Sequence, residues 1–136
     1  MNFGPPVVSA LTAGVLIVLQ MVLLLSVVVA RQSRRQSLGD GGDRDLQRAV
    51  RRHGNLAENA GIFIAGFTLL ELLGVGRFRL ELLCGAFILG RISHAVGLSL
   101  ERTANPFRAA GAFLTVAVGL ALGLWLIRRT LPYLIH

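Results

Sequence analysis

Lysine is missing altogether. The 14 basic residues of this 136-residue chain are all arginine, set against 7 acids, for a net charge of +7. Cysteine is nearly absent: Cys84 stands alone inside an apolar run, so there is no disulfide framework, and no His/Cys cluster has metal-ligand spacing. Aromatic residues make up only 7%, with one Trp and one Tyr. A positive chain without interleaved aromatics argues against a nucleic-acid partner. Charge of either sign is scarce at 15%, while 54% of the chain is hydrophobic. With a mean hydropathy of +0.66, this is too apolar for an ordinary soluble domain of this size. The arginines gather at the ends of apolar runs, as membrane orientation requires.

The length fits a single domain, 1–136. Its apolar stretches predict four helical spans, over about 7–30, 45–73, 78–100 and 107–127. The first carries no formal charge and is interrupted mainly by Gln20; at 1.5 Å per residue it reaches roughly 36 Å, enough to cross a bilayer. No basic residue precedes it, and Val28-Val29-Ala30 is not a small-x-small cleavage site, so it reads as a span and not as a signal peptide. A polar loop follows, with Gly39, Gly41 and Gly42 as its flexible middle. Asp43 or Asp45 is placed to start the second helix, and Gly74-Val75-Gly76 to end it. Asn105-Pro106 separates the third and fourth spans, because proline disfavours helix in the residue before it. Gly119 and Gly123 form a GxxxG pair suited to close helix packing. Short connections then predict an all-α, up-down-up-down four-helix bundle in the membrane.

Arginine placement orients that bundle. Arg31, Arg34, Arg35, Arg44, Arg48, Arg51, Arg52, Arg102 and Arg108 fall at one end; Arg77, Arg79, Arg128 and Arg129 fall at the other. The first end is expected in the cytoplasm and both termini outside it.

One polar run stands out against this background: Arg51-Arg52-His53-Gly54-Asn55-Leu56-Ala57-Glu58-Asn59. Arg51, Asn55 and Glu58 lie at i, i+4 and i+7 and so share one helix face, flanked by Arg48 and Asn59. Burying such a row in a span costs several kcal/mol unless it is paired or wet. On the third span Arg91, His94, Leu98 and Arg102 form a second stripe. Both stripes belong to the same end of the bundle, which places a site there. The bland readings are an orientation anchor for Arg51 and Arg52, interhelical glue for Asn55 and Asn59, and core packing for His94 and Cys84. Glu58 fits none of them, since a carboxylate within a span is a functional candidate by default. Glu71 and Glu81, near span ends, are expected to face water.

Arg51-x-His53-x-Asn55-x-x-Glu58, then Gly90-Arg91-x-x-His94, then Asn105-Pro106-Phe107-Arg108 resembles the MAPEG family, the membrane-associated proteins of eicosanoid and glutathione metabolism. The likeness runs from about Val7 to Arg129. It implies a homotrimer of four-helix subunits with a glutathione site between neighbours near the cytoplasmic face. Arg51, Asn55 and Glu58 match positions that hold the tripeptide, with Asn59 beside them. Arg31 matches a further anion-binding arginine, with Arg34 as the alternative. Arg91 and His94 match positions lining the same pocket. Arg108 matches the arginine that stabilises the glutathione thiolate, and Arg102 is the second candidate for that role. The chain departs from the family at three places: Leu98, where several members carry tyrosine, Gly54, where some carry a basic residue, and Ala109, where some carry a hydroxyl.

The expectation is therefore an integral protein of a bacterial inner membrane that binds glutathione. It would act as a transferase or peroxidase on lipophilic small molecules entering from the lipid bilayer. No metal and no nucleic acid enter this reading. Two other classes stay open at this level: a non-catalytic membrane module of the same fold, and a small proton-coupled exporter. The exporter would place its carboxylate in the first span, where this chain has Gln20.

Overall fold

The computed structural model describes residues 4–100 and 105–135. They form four helices and a final turn: α1 (Val7–Arg34), α2 (Arg44–Leu72), α3 (Arg77–Ser99), α4 (Pro106–Thr130) and a 3-10 turn over Leu131–Tyr133. Among the described residues there is no strand, so the all-α expectation holds.

Each boundary has a local cause. The Asp43 carboxylate accepts from the Leu46 amide at 2.8 Å and caps α2, settling the choice between Asp43 and Asp45. Asn105 does the same for α4, accepting from Phe107 N at 2.9 Å, with Pro106 at the first helical position. α1 runs one turn further than its apolar run and ends at Arg35, which takes a left-handed conformation with φ 50°.

The start of α1 is capped from elsewhere. No side chain of its own does so. Instead Glu71, in the last turn of α2, accepts from Val8 N at 2.9 Å, from Ser9 N at 2.8 Å and from Ser9 Oγ at 2.5 Å. A carboxylate on exposed N-terminal amides also meets the positive end of the helix dipole. Glu71, partly exposed near a span end, is thus also a structural cap, which its place in the sequence did not suggest. Glu81 does lie at the surface, paired with Arg77 at 2.7 Å.

These contacts fix the directions. Val8 meets Glu71 and Gln20 meets His53, so α1 and α2 are antiparallel. Arg52 on α2 bonds Ser99 at the end of α3, so that pair is antiparallel too. Ser93 donates to the Phe107 carbonyl across the α3–α4 turn. α2 and α3 each pack against all three other helices.

Three helices, Val7–Arg34, Arg77–Ser99 and the α4 segment Pro106–Tyr133, are long and apolar enough to cross a membrane. α2 matches them in length, with 29 residues, about 43 Å. Its charged first half keeps its overall hydropathy down. Its second half supplies Phe63 and Phe67 to the core, where Phe63 stacks on Phe87 of α3 with ring centroids 4.0 Å apart. Many apolar side chains of α1 and α4, among them Leu11, Val18, Leu25, Phe113, Leu120 and Leu124, point outward, as a lipid-facing surface requires.

Glycine sets the closest helix approach, though not at the expected pair. A Cβ on Gly111 would lie 2.6 Å from both the Gly90 carbonyl oxygen and the His94 amide nitrogen. A Cβ on Gly97 would collide with the backbone of Arg108. α3 and α4 thus touch backbone to backbone. In the GxxxG pair, Gly119 only faces the Phe63 ring and Gly123 has open space.

Candidate functional site

At the end of the bundle where α2 begins, α3 ends and α4 begins, an open groove of about 560 Å³ lies between these helices. One wall is a single stripe of α2: Gln47, Arg51, Gly54, Asn55 and Glu58. The opposite wall is His94 and Leu98 of α3 with Arg108 of α4. The α3–α4 glycine contact brings Arg108 beside His94, because it removes the side chains that would hold the two backbones apart.

Arg51 and Glu58 are exposed to the groove, and Arg108 is exposed on the other side. Among the described residues none of the three makes a hydrogen bond or ion pair, so their charges are free for a ligand. Arg48 also lines the groove but is engaged, bonding Asp45 at 2.5 Å. The lining thus holds three guanidinium groups, an imidazole and one carboxylate. Such a cleft attracts anions, with Glu58 reserved for a cationic group on the same molecule.

The remaining expected residues are placed as follows. Arg91 is 4% exposed and turns into the bundle, away from the groove lining. Its Nη1 donates to Asn55 Oδ1 at 2.7 Å and to the Asn55 carbonyl at 3.3 Å. Its Cζ lies 5.9 Å from the Phe87 ring centroid, at the outer range of a cation–π contact. Its Nε is buried without a partner among the described residues. Arg91 therefore reaches the groove through Asn55, whose side chain it orients. Asn59 is a turn further on and donates to the Asn55 carbonyl at 2.8 Å.

Arg31 donates from Nη1 to the carbonyls of Gln36, Ser37 and Gly39 in the following loop, at 3.3, 3.2 and 2.9 Å. It also lines a shallower pocket of about 300 Å³ that shares Arg51 with the main groove. Arg34, the alternative, is bound to Asp43 at 2.6 Å and to Asp45 at 3.4 Å. Arg102 lies outside the described residues. Cys84 is buried and free, and among the described residues no three His, Cys, Asp or Glu side chains gather as a metal site.

Gln47 was not singled out from the sequence. The signal was present: it lies one turn before Arg51 on the same helical stripe. Leu98, noted above as a departure from the pattern of the resemblance, occupies the groove wall.

Comparison with known proteins adds a family. Residues 9–128 match the family model described as MAPEG family. Inner membrane protein YecN of Escherichia coli K12 is 37% identical over 91 residues, covering 66% of this chain and 69% of that protein. The protein of the same name from Escherichia coli O6:H1 (strain CFT073) matches to the same extent. No solved structure matches.

Proposed function

The chain belongs to the MAPEG family of membrane proteins, and from that premise we propose that the groove is a glutathione site and that the protein is a glutathione transferase or peroxidase acting on lipophilic electrophiles. The observation that carries this reading is the presence of Arg51, Glu58 and Arg108 in one groove with their charges unengaged. Glutathione has two carboxylates, an ammonium group and a thiol. Arg51 takes a carboxylate as a fork. Glu58 receives the ammonium, and Asn55, held by Arg91, bonds a peptide group. Arg108 stands across the groove as the cation for the thiolate. The thiol proton goes to solvent, and the thiolate sulfur bonds the electrophilic carbon as the carbon–leaving-group bond breaks and the leaving group departs with its electron pair. With a hydroperoxide the sulfur takes the terminal oxygen, the alcohol leaves, and a second glutathione completes the reduction to disulfide and water. Leu98 supplies no hydroxyl to share this work, which favours a non-catalytic binding module as the second reading.

The groove is open on its outer side, which fits completion by a neighbour in a homotrimer. A trimer peak in native mass spectrometry supports this arrangement, and a monomer at every concentration removes it. The arginine distribution supports an inner-membrane orientation with both termini outside the cytoplasm. An extracytoplasmic reporter fused after His136 should then be active, and one placed within 39–43 silent.

Titration of the purified protein with glutathione tests the site. Arg51→Ala should weaken binding about tenfold or more, because a charge-assisted contact contributes roughly 1.5–3 kcal/mol. A parent that does not bind glutathione, or an Arg51→Ala variant that binds equally well, overturns the reading.

A further inference from the structure

A second cleft lies at the opposite end of the bundle, where α2 ends, α3 begins and α4 ends. Its volume is about 330 Å³. Arg79, Arg128 and Arg129 line it, together with Trp125 and the Gly74–Gly76 turn. No acid lines it. The nearby acids are committed elsewhere: Glu71 to the α1 amides and Glu81 to Arg77. Arg129 is anchored, donating from Nη2 to the Leu73 carbonyl at 2.9 Å, which leaves its other donors available. Gly76 also caps α3 with no side chain on the amides of its first turn. Those amides add the positive end of a helix dipole to the same place.

We propose that this cleft binds the phosphate of an anionic lipid headgroup. Three guanidinium groups and a helix start suit a phosphate, which accepts forked hydrogen bonds from arginine. The position selects the lipid as its source. The cleft sits where the apolar spans α3 and α4 reach their ends, at headgroup depth. Trp125 is an amphipathic ring of the kind that settles at that interface. Arginines at a membrane surface each contribute attraction to anionic lipid worth about 1 kcal/mol, roughly fivefold in affinity. The cleft is separate from the groove of Arg51 and Arg108, so its occupancy does not depend on glutathione binding.

Trp125 is the one tryptophan in the chain, so its fluorescence reports this cleft in the unaltered protein. Reconstituted into vesicles, it should be quenched more strongly by brominated phosphatidylglycerol than by brominated phosphatidylcholine at the same mole fraction. In the Arg79→Gln/Arg128→Gln double variant the preference should fall at least fivefold. Equal quenching by the two lipids in the parent overturns the proposal, and this arm needs no variant to fold. An unchanged preference in the double variant also overturns it. Inorganic phosphate provides the third arm. If it shifts Trp125 emission in neutral detergent at millimolar concentration and abolishes the lipid preference, the ligand is the free anion and the lipid assignment fails. If it has no effect, the headgroup assignment stands.

Discussion

Arg91 donates from one nitrogen to both the side-chain oxygen and the backbone carbonyl of Asn55, at 2.7 and 3.3 Å. A buried cation is thereby held by a neutral amide and not by a carboxylate. The partnership is asymmetric, and that asymmetry can be measured. Asn55→Leu removes the shorter, side-chain acceptor and leaves the buried guanidinium only the 3.3 Å backbone carbonyl, so it should cost about 2–3 kcal/mol. Arg91→Leu leaves only an unpaired amide beside a wet groove and should cost about 1–2 kcal/mol. Thermal unfolding in detergent should rank Asn55→Leu as the less stable variant; the opposite order would mean that Arg91 draws its stabilisation from elsewhere.

Glu71 joins the end of α2 to the start of α1 through three hydrogen bonds. Glu71→Ala removes an N-terminal cap and should lower stability by about 1–2 kcal/mol. Ser9→Ala, which loses only one of the three bonds, should cost less. Equal melting of parent and Glu71→Ala would show that the α1 amides find another acceptor.

Asp43 gives a pH signature outside the membrane spans. The Leu46 amide, and after it the Arg34 guanidinium, hold its carboxyl below the ordinary value of 3.8. A carboxyl depressed in the folded state contributes stability that is complete above the unfolded value. That stability is lost as pH falls through the lower, folded value. Amide exchange of the first turn of α2 should therefore accelerate only at acid pH below the ordinary aspartate range. Asp43→Asn keeps an acceptor without a titrating charge and should flatten that dependence. A parent profile that stays flat at acid pH would contradict the cap's ionic character.

Arg108 should separate binding from activation. In Arg108→Ala, glutathione affinity should stay nearer to the parent's than in Arg51→Ala. The thiol of the bound tripeptide should return towards the free value of about 8.5. Loss of ultraviolet thiolate absorbance at neutral pH is the expected readout. A parent that binds glutathione without forming thiolate would leave the groove as a binding site and remove the enzyme reading.

The helices were legible because membrane spans announce themselves by unbroken apolar composition, and α1, α3 and α4 begin and end within a few residues of their apolar runs. The α2 face of Arg51, Asn55 and Glu58 was legible for the same kind of reason, since helical spacing alone puts those residues on one wall. What stayed hidden were partnerships between distant residues. Nothing local to Glu71 indicates that its carboxylate will cap a helix lying sixty-two and sixty-three positions earlier. Nothing local to Arg91 indicates that it turns inward to Asn55 instead of lining the groove. Arg31 shows the converse: its anion-binding role came from resemblance, and its Nη1 holds the loop that follows it. The GxxxG pair Gly119 and Gly123 suggested close helix packing without naming a partner, whereas the backbone contact of α3 with α4 is made at Gly90, Gly97 and Gly111, because which glycine meets a backbone is decided by helix rotation.

That glycine contact has a mechanical consequence. Where α3 and α4 touch backbone to backbone, they leave no side-chain layer to compress or slide, so together they behave as one stiff jaw. α2 is the other jaw, and Arg51 and Arg108 are the teeth on either side. A molecule gripped by both acts as a removable crosslink between segments far apart along the chain. Its binding free energy then becomes stability of the bundle, about 2.7 kcal/mol when present at a hundred times its dissociation constant. Ligand occupancy and resistance to unfolding are one quantity in such a device, and a melting curve in detergent reads both.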